Sequence, residues 1–138
     1  MNSLGRNILA VIAGVVIGSF VNILLVNLGP SVIPLPEGAD ISTMEKLRDS
    51  MKLFTPVNFI FPFLAHALGT LVGGFIAAKF AATHHMKLAL GIGVFFLLGG
   101  IAAVNMLGGP LWFNAADILL AYIPMSLLGA TLAGRKRI

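Results

Sequence analysis

The stretch "NILAVIAGVVIGSFVNILLVNL", residues 7–28, decides the fold, because it carries no charged side chain over a length that can cross a bilayer. A helix rises about 1.5 Å per residue, so about 20 apolar residues cross the roughly 30 Å of hydrocarbon. Three further runs are long and apolar enough, at residues 58–82, 87–106 and 115–133. The sequence therefore predicts four transmembrane helices.

The composition supports a membrane protein. The chain has 138 residues, of which 58% are hydrophobic and 10% are charged. A water-soluble domain of this size cannot bury so large an apolar share in one core. The chain has no cysteine, which excludes a disulfide framework, a thiol nucleophile and a cysteine-ligated metal or iron–sulfur cluster. We expect no cofactor and no metal site.

The charges are distributed unequally between the segments that join these runs. Basic residues lie at Arg6, at Lys79 and Lys87, and in the tail "GRKRI" at residues 134–138. All five acidic residues lie elsewhere: Glu37, Asp40, Glu45, Asp49 and Asp117. The three remaining basic residues, Lys46, Arg48 and Lys52, lie among them. By the positive-inside rule, both termini are cytoplasmic, and we expect a bacterial cytoplasmic (inner) membrane. We interpret the basic tail as a topology signal or a contact with anionic lipid, and we expect no binding of nucleic acid.

These features predict one all-α transmembrane domain over residues 1–138, an antiparallel four-helix bundle. The first outer loop, residues 29–57, begins with the proline-rich "GPSVIPLPEGAD" and continues with "MEKLRDSMKLF", residues 44–54. In the second part, apolar side chains recur on one helical face and charged side chains on the other. We therefore expect a short amphipathic helix on the membrane surface or over the bundle, with partner binding as the alternative.

Small residues at a four-residue spacing mark two of the predicted helices. Gly14 and Gly18 lie on the first helix, and Gly69 and Gly73 lie on the second. Small side chains at this spacing let membrane helices approach closely, so we expect these faces to pack against protein. The partners expected from such faces are membrane lipid and either further copies of this chain or another membrane protein.

One phrase occurs twice, in "LVNLGPSVI" at residues 25–33 and in "AVNMLGGPLWF" at residues 103–113. Glycine and proline after an apolar run terminate a helix, and asparagine hydrogen-bonds nearby backbone. The repetition therefore indicates that two helices leave the bilayer on the same side. Two alternatives stay open: a paired polar lining at the outer mouth, and a true duplication of a helical hairpin.

A histidine and an aspartate stand out among the ionisable side chains of the predicted helices. His66 lies well inside the second helix, where an ionisable group marks a functional site by default. The alternative is a neutral histidine that is hydrogen-bonded between helices and serves packing only. Its expected partners are Asn22, Thr70, Tyr122 and Ser126. Asp117 lies near the start of the fourth helix, where a carboxylate suits the positive helix end, with Asn114 as the N-cap. The alternative for Asp117 is a role in binding a coupling ion.

The function predicted from these residues is a transport or channel-like role. An outward-facing polar cluster would line a cavity, and its members are Asn22, Asn27, His66, Thr70, Asn105, Asp117 and Tyr122. The alternative is an accessory or scaffold protein whose glycine-rich faces bind another membrane protein. An enzyme is disfavoured without being excluded, because these residues assemble no nucleophile, no metal site and no pair of membrane carboxylates.

Overall fold

The computed structural model describes residues 1–135, and within them the chain is helical with no strand. Residues 136–138 of the predicted basic tail lie outside the described residues. There are six α-helices: α1 (Ser3–Val32), α2 (Met44–Ser50), α3 (Ile60–Phe80), α4 (His85–Leu107), α5 (Leu111–Leu120) and α6 (Ile123–Leu132). Two short 3-10 helices, Met51–Leu53 and Pro56–Phe59, lie between α2 and α3.

Four segments of this helical chain are long and apolar enough to cross a membrane. They are Ser3–Val32, Pro56–Phe80, His85–Leu107 and Leu111–Leu132. Large apolar side chains such as Phe20, Leu98 and Leu119 stand mostly exposed on these helices. So much exposed apolar surface is unfavourable in water, and it fits a membrane protein.

The central helix is α3, which packs against α1 on one side. The two helices approach closely because glycine faces glycine. A Cβ atom added at Gly14 would lie 2.6 Å from the Gly73 carbonyl oxygen, and one at Gly18 would lie 2.6 Å from that of Gly69. The four glycines expected at helix contacts thus lie at this one contact, where any larger side chain would force the backbones apart.

The other sides of α3 pack against α4 and α6. Here too a glycine permits the contact, because a Cβ atom at Gly129 of α6 would collide with the backbone of Leu71 in α3. Ser126 is fully buried in the same region, and its hydroxyl donates to the Ile123 carbonyl. With α3 between them, α1 touches α4 only lightly.

The fourth span is interrupted, whereas the sequence predicted one helix over residues 115–133. Helix α5 ends at Leu120, α6 starts at Ile123, and Tyr122 between them has the non-helical dihedrals φ −114° and ψ −80°. Pro124 contributes to the break, because proline has no backbone N–H to continue the helical ladder. The span also begins earlier than predicted, at Leu111.

The connecting segment, residues 33–59, lies between α1 and α3 and contains α2. Thr43 caps α2 by accepting from the Lys46 N–H at 3.1 Å. The Ser50 hydroxyl accepts from the Asp40 N–H and donates to the Asp40 carbonyl, which ties the segment to itself. Hydrogen bonds from Ser42 and Lys46 lower the pKa of the Asp40 carboxyl to about 2. These bonds give the segment a defined shape against the helix ends.

Candidate functional site

A histidine and a carboxylate from two different spans form a hydrogen-bonded pair inside the bundle. His66 Nδ1 of α3 lies 2.8 Å from Asp117 Oδ1 and 3.0 Å from Asp117 Oδ2 of α5. The Asp117 side chain is 5% exposed and that of His66 is 26% exposed. A carboxylate this deeply buried requires a partner, and the imidazole provides one.

Tyr122 completes the group from the break between α5 and α6. Its hydroxyl donates to Asp117 Oδ2 at 2.9 Å, and its ring stacks on the His66 ring with centroids 5.8 Å apart. The tyrosine fits because Gly100 of α4 has no side chain, and a Cβ atom there would collide with the Tyr122 ring and hydroxyl. We call His66, Asp117 and Tyr122 the polar triad.

The triad leaves one nitrogen of His66 without a protein partner. With both Asp117 oxygens at Nδ1, that nitrogen carries the proton that is donated to the carboxylate. Within residues 1–135, Nε2 makes no hydrogen bond and is not among the buried atoms. Nε2 therefore accepts a hydrogen bond when the imidazole is neutral and donates one when it is protonated.

Two members of the triad, His66 and Asp117, line a cavity of about 370 Å³, which we call the His66 cavity. Tyr122, predicted to line such a cavity, is not part of its lining. His66, Asp117 and Gly100 line its deep end, and α1 contributes Val26 and Asn27. The connecting segment closes the other end with Leu47, Met51 and Phe54, among other side chains. Most of the lining is apolar, so the few polar atoms would set the orientation of anything that binds.

A second cavity of about 550 Å³, the Arg48 cavity, adjoins the first. The two share lining residues such as Met51 and Phe59. The Arg48 cavity differs in its charges, because Arg48, Asp49 and Lys52 line it. These exposed side chains therefore lie close to the His66 cavity without lining it.

The structure brings together part of the predicted polar cluster. Asn27 lines the His66 cavity with His66 and Asp117, whereas Asn105 is exposed and does not line it. Thr70 is buried, and its hydroxyl donates to the His66 carbonyl one turn earlier in α3.

Asn22 lies at the contact between α1 and α3, beside Gly69. Its Oδ1 is buried, and within the described part of the chain it has no hydrogen-bond partner.

Two expectations about Asp117 need correction. The N-cap of α5 is Pro110, and Asn114 lies inside the helix with Nδ2 donating to the Gly108 carbonyl at 3.0 Å. Asp117 therefore lies almost two turns into the helix and does not contact the helix start. Of the partners expected for His66, Tyr122 stacks on its ring, but the hydrogen-bond partner of the ring is Asp117.

Equal depth in the bundle is a signal for this pairing, and it depends on the helix starts that the structure shows. His66 and Asp117 each lie six residues, about 9 Å, beyond the first residue of a helix that begins at the same end of the bundle. Two ionisable groups at equal depth are candidates for pairing. The signal was missed because the predicted helix start, residue 115, placed Asp117 at the bundle end.

Within residues 1–135, no three His, Cys, Asp or Glu side chains come together in an arrangement that could hold a metal ion. No family model, curated protein or solved structure matches this chain. The geometry of the polar triad and its cavity therefore provides the basis for a functional proposal.

Proposed function

We propose that this chain is an integral membrane transport protein with four spans and both termini in the cytoplasm. Arg6, whose Nε donates to the Phe80 carbonyl, lies at the same end as Lys79 and Lys87. The acidic residues of the connecting segment lie at the opposite end, together with the mouths of both cavities. Under the positive-inside rule the His66 cavity faces the outside.

The observation that carries the transport role is the free Nε2 of His66 at the cavity wall, with Asp117 behind it. Imidazole changes charge between about pH 5 and pH 8, so it exchanges protons under physiological conditions. The buried carboxylate orients the ring through its contact with Nδ1. Ionisable groups inside membrane spans line the pathways of protons and substrates in many transporters.

The break in the fourth span also supports this role. Interrupted membrane helices occur at the binding sites of transporters, where they line a cavity. Tyr122 lies in the interruption and donates to the carboxylate that holds His66. A change in the hydrogen bonds of the triad would therefore affect Tyr122, which lies in the break between α5 and α6.

An enzyme is the weaker interpretation of the same pair. A histidine held by a carboxylate activates serine or cysteine nucleophiles in hydrolases. In the part of the chain that the structure describes, the hydroxyls of Thr70 and Ser126 donate to carbonyls of their own helices. Neither hydroxyl is presented to His66 as a nucleophile.

The accessory role remains the second candidate, with a different surface from the one predicted. The contact between α1 and α3 already buries the four glycines that were expected to bind a partner, Gly14, Gly18, Gly69 and Gly73. A partner protein would therefore bind a different helix face. In α4, a Cβ atom added at Gly91 or Gly99 would meet nothing within 4 Å. A partner helix could therefore approach α4 closely there.

Proton flux tests the transport role. Purified protein is reconstituted into liposomes that contain a pH-sensitive dye, and a potassium diffusion potential drives proton movement. We expect the wild type to exceed empty vesicles and His66→Gln to fall to their rate, because glutamine keeps a hydrogen-bonding group but cannot be protonated.

His85→Gln is the matched control, since His85 lies at the opposite end and its Nδ1 contacts the Ala78 carbonyl. It should keep the wild-type flux. A wild type no faster than empty vesicles, together with a stoichiometric partner protein in purification from native membranes, would replace transport with the accessory role.

A further inference from the structure

The His66 cavity has an unusual set of charges for its size. Within the described lining, Asp117 and His66 are the only ionisable side chains, and neither lysine nor arginine is present. When His66 is neutral, the deep end carries one negative charge. That charge attracts a cation and repels an anion, and the apolar walls reduce the screening of both effects.

Aromatic side chains reinforce this preference. Four phenylalanines line the His66 cavity: Phe54, Phe59, Phe61 and Phe113. The ring centroids of Phe59 and Phe113 lie 4.6 Å apart. The face of an aromatic ring carries negative electrostatic potential and attracts organic cations. The same rings offer an apolar surface to the body of a ligand.

From this charge and this lining we propose that the ligand of the His66 cavity is an organic cation, a protonated amine on an apolar body, which binds in exchange for a proton on His66. The inference rests on the proposed transport function and names its substrate class. The exchange follows from charge, because a protonated His66 cancels the Asp117 charge that attracts the amine. A proton and an amine therefore compete for one negative charge, and the bond that changes is N–H at His66 Nε2.

No other charged side chain in the described lining takes part in the competition between the proton and the amine for the Asp117 charge. Around His66, α5 contributes Asp117 and the helix break contributes Tyr122 as titratable groups, whereas α1 and α4 contribute none to the cavity. From α2, Leu47 lines the His66 cavity while Arg48 and Asp49 line the Arg48 cavity. Together with Lys52, these outer charges act on the rate of approach more than on the bound state.

The wild-type protein can be tested with three probes that share one phenyl body. The probes are 2-phenylethylamine as the cation, 2-phenylethanol as the neutral form and 3-phenylpropanoate as the anion. Binding is measured by isothermal titration calorimetry in nanodiscs of zwitterionic lipid, with empty nanodiscs subtracted. At about pH 8 we expect the amine to bind at least about tenfold tighter than the alcohol, with no binding of the anion.

Lower pH provides a second, independent readout. Between about pH 8 and about pH 6 the proton concentration rises a hundredfold, so a proton that competes with the amine should weaken amine binding, and the amine should then release up to one proton. Titration in two buffers with different ionisation enthalpies measures that release. Amine binding that is equally tight at both pH values and releases no proton would overturn the exchange.

The Asp117→Asn variant tests whether the Asp117 carboxylate causes the preference for the amine over the alcohol. It should bring the amine and the alcohol to similar affinity, while Asp49→Asn, which removes a carboxylate from the Arg48 cavity, should leave the preference unchanged. An Asp117→Asn protein that keeps the preference overturns the proposal. If this variant does not fold, the affinities of the wild-type protein for the three probes still test the substrate class.

Failure of this inference is distinguishable from failure of the transport role. Anion binding as tight as amine binding, or no amine binding at millimolar concentration, overturns the substrate class even when His66-dependent proton flux is observed. A preference for the amine without any flux supports the binding site and removes only the transport role.

Discussion

At the scale of single residues, Asp117 is the most constrained side chain of the site. It accepts hydrogen bonds from His66, 51 positions earlier, and from Tyr122, five positions later. The carboxylate charge is thereby held at the deep end of a mostly apolar cavity. Removing either donor leaves a buried oxygen with fewer partners, and that loss costs free energy.

Tyr122→Phe tests this constraint, because it removes the hydroxyl and keeps the ring that fits against Gly100. We expect a loss of about 1.5–3 kcal/mol in stability, since the lost hydrogen bond reaches a charged acceptor. Melting temperature in detergent measures the effect. Thr131→Val is the control, because the exposed Thr131 hydroxyl donates only within its own helix. Equal melting of Tyr122→Phe and wild type would show that the hydroxyl bond adds no stability.

At the scale of helices, the contact between α1 and α3 is set by backbone meeting backbone. Gly14 and Gly18 lie against the Gly73 and Gly69 carbonyls, so the two backbones meet directly at these positions. Close approach increases van der Waals contact, which drives helix association in a bilayer where lipid is as apolar as the side chains. The contact also holds α1 in place as one wall of the His66 cavity.

Gly18→Ala and Gly91→Ala form a matched pair that tests this contact. The added methyl at Gly18 would lie 2.6 Å from a carbonyl oxygen, whereas at Gly91 it would meet nothing within 4 Å. We expect Gly18→Ala to destabilise the protein by about 1–3 kcal/mol, because the backbones must separate. Gly91→Ala should be neutral or stabilising by up to about 1 kcal/mol, because alanine favours a helix. Equal melting temperatures in detergent would contradict the close contact.

At the scale of the whole molecule, charge separates the two ends of the bundle. The basic residues of α1, α3 and α4 lie at one end, and the acidic residues lie at the end that holds the connecting segment. The same segment covers the His66 cavity. The direction in which the cavity opens therefore depends on the direction in which the chain inserts.

Single-cysteine variants test that direction, and the chain has no native cysteine to remove. Lys46→Cys in α2 should react with a membrane-impermeant maleimide in intact cells, because the positive-inside rule places this end outside. Lys87→Cys at the other end should react only after lysis. Both positions are exposed, so a difference in burial does not explain a difference in labelling. Labelling of Lys87→Cys in intact cells would reverse the orientation.

The sequence by itself determined the number of spans and their approximate limits. Residues 7–28 and 87–106 were predicted where the structure has Ser3–Val32 and His85–Leu107. The predicted stop at Gly29 and Pro30 was wrong, because α1 continues through both residues to Val32. Such limits follow from the length of an apolar run, which is a local property of the chain. The spacing of Gly14 and Gly18 was equally local, and it indicated a packing face without naming the partner helix.

Only the tertiary structure decided which residues meet. Membrane helices that are apolar on all sides carry little periodic signal of their rotation, so the sequence did not show that His66 faces Asp117. The interruption at Tyr122 was missed as well, because proline near a helix start and proline after a break look alike in sequence. The His66 cavity is lined by residues of α1, α3, α4, α5 and the connecting segment, so the rotation and packing of several helices together determine it.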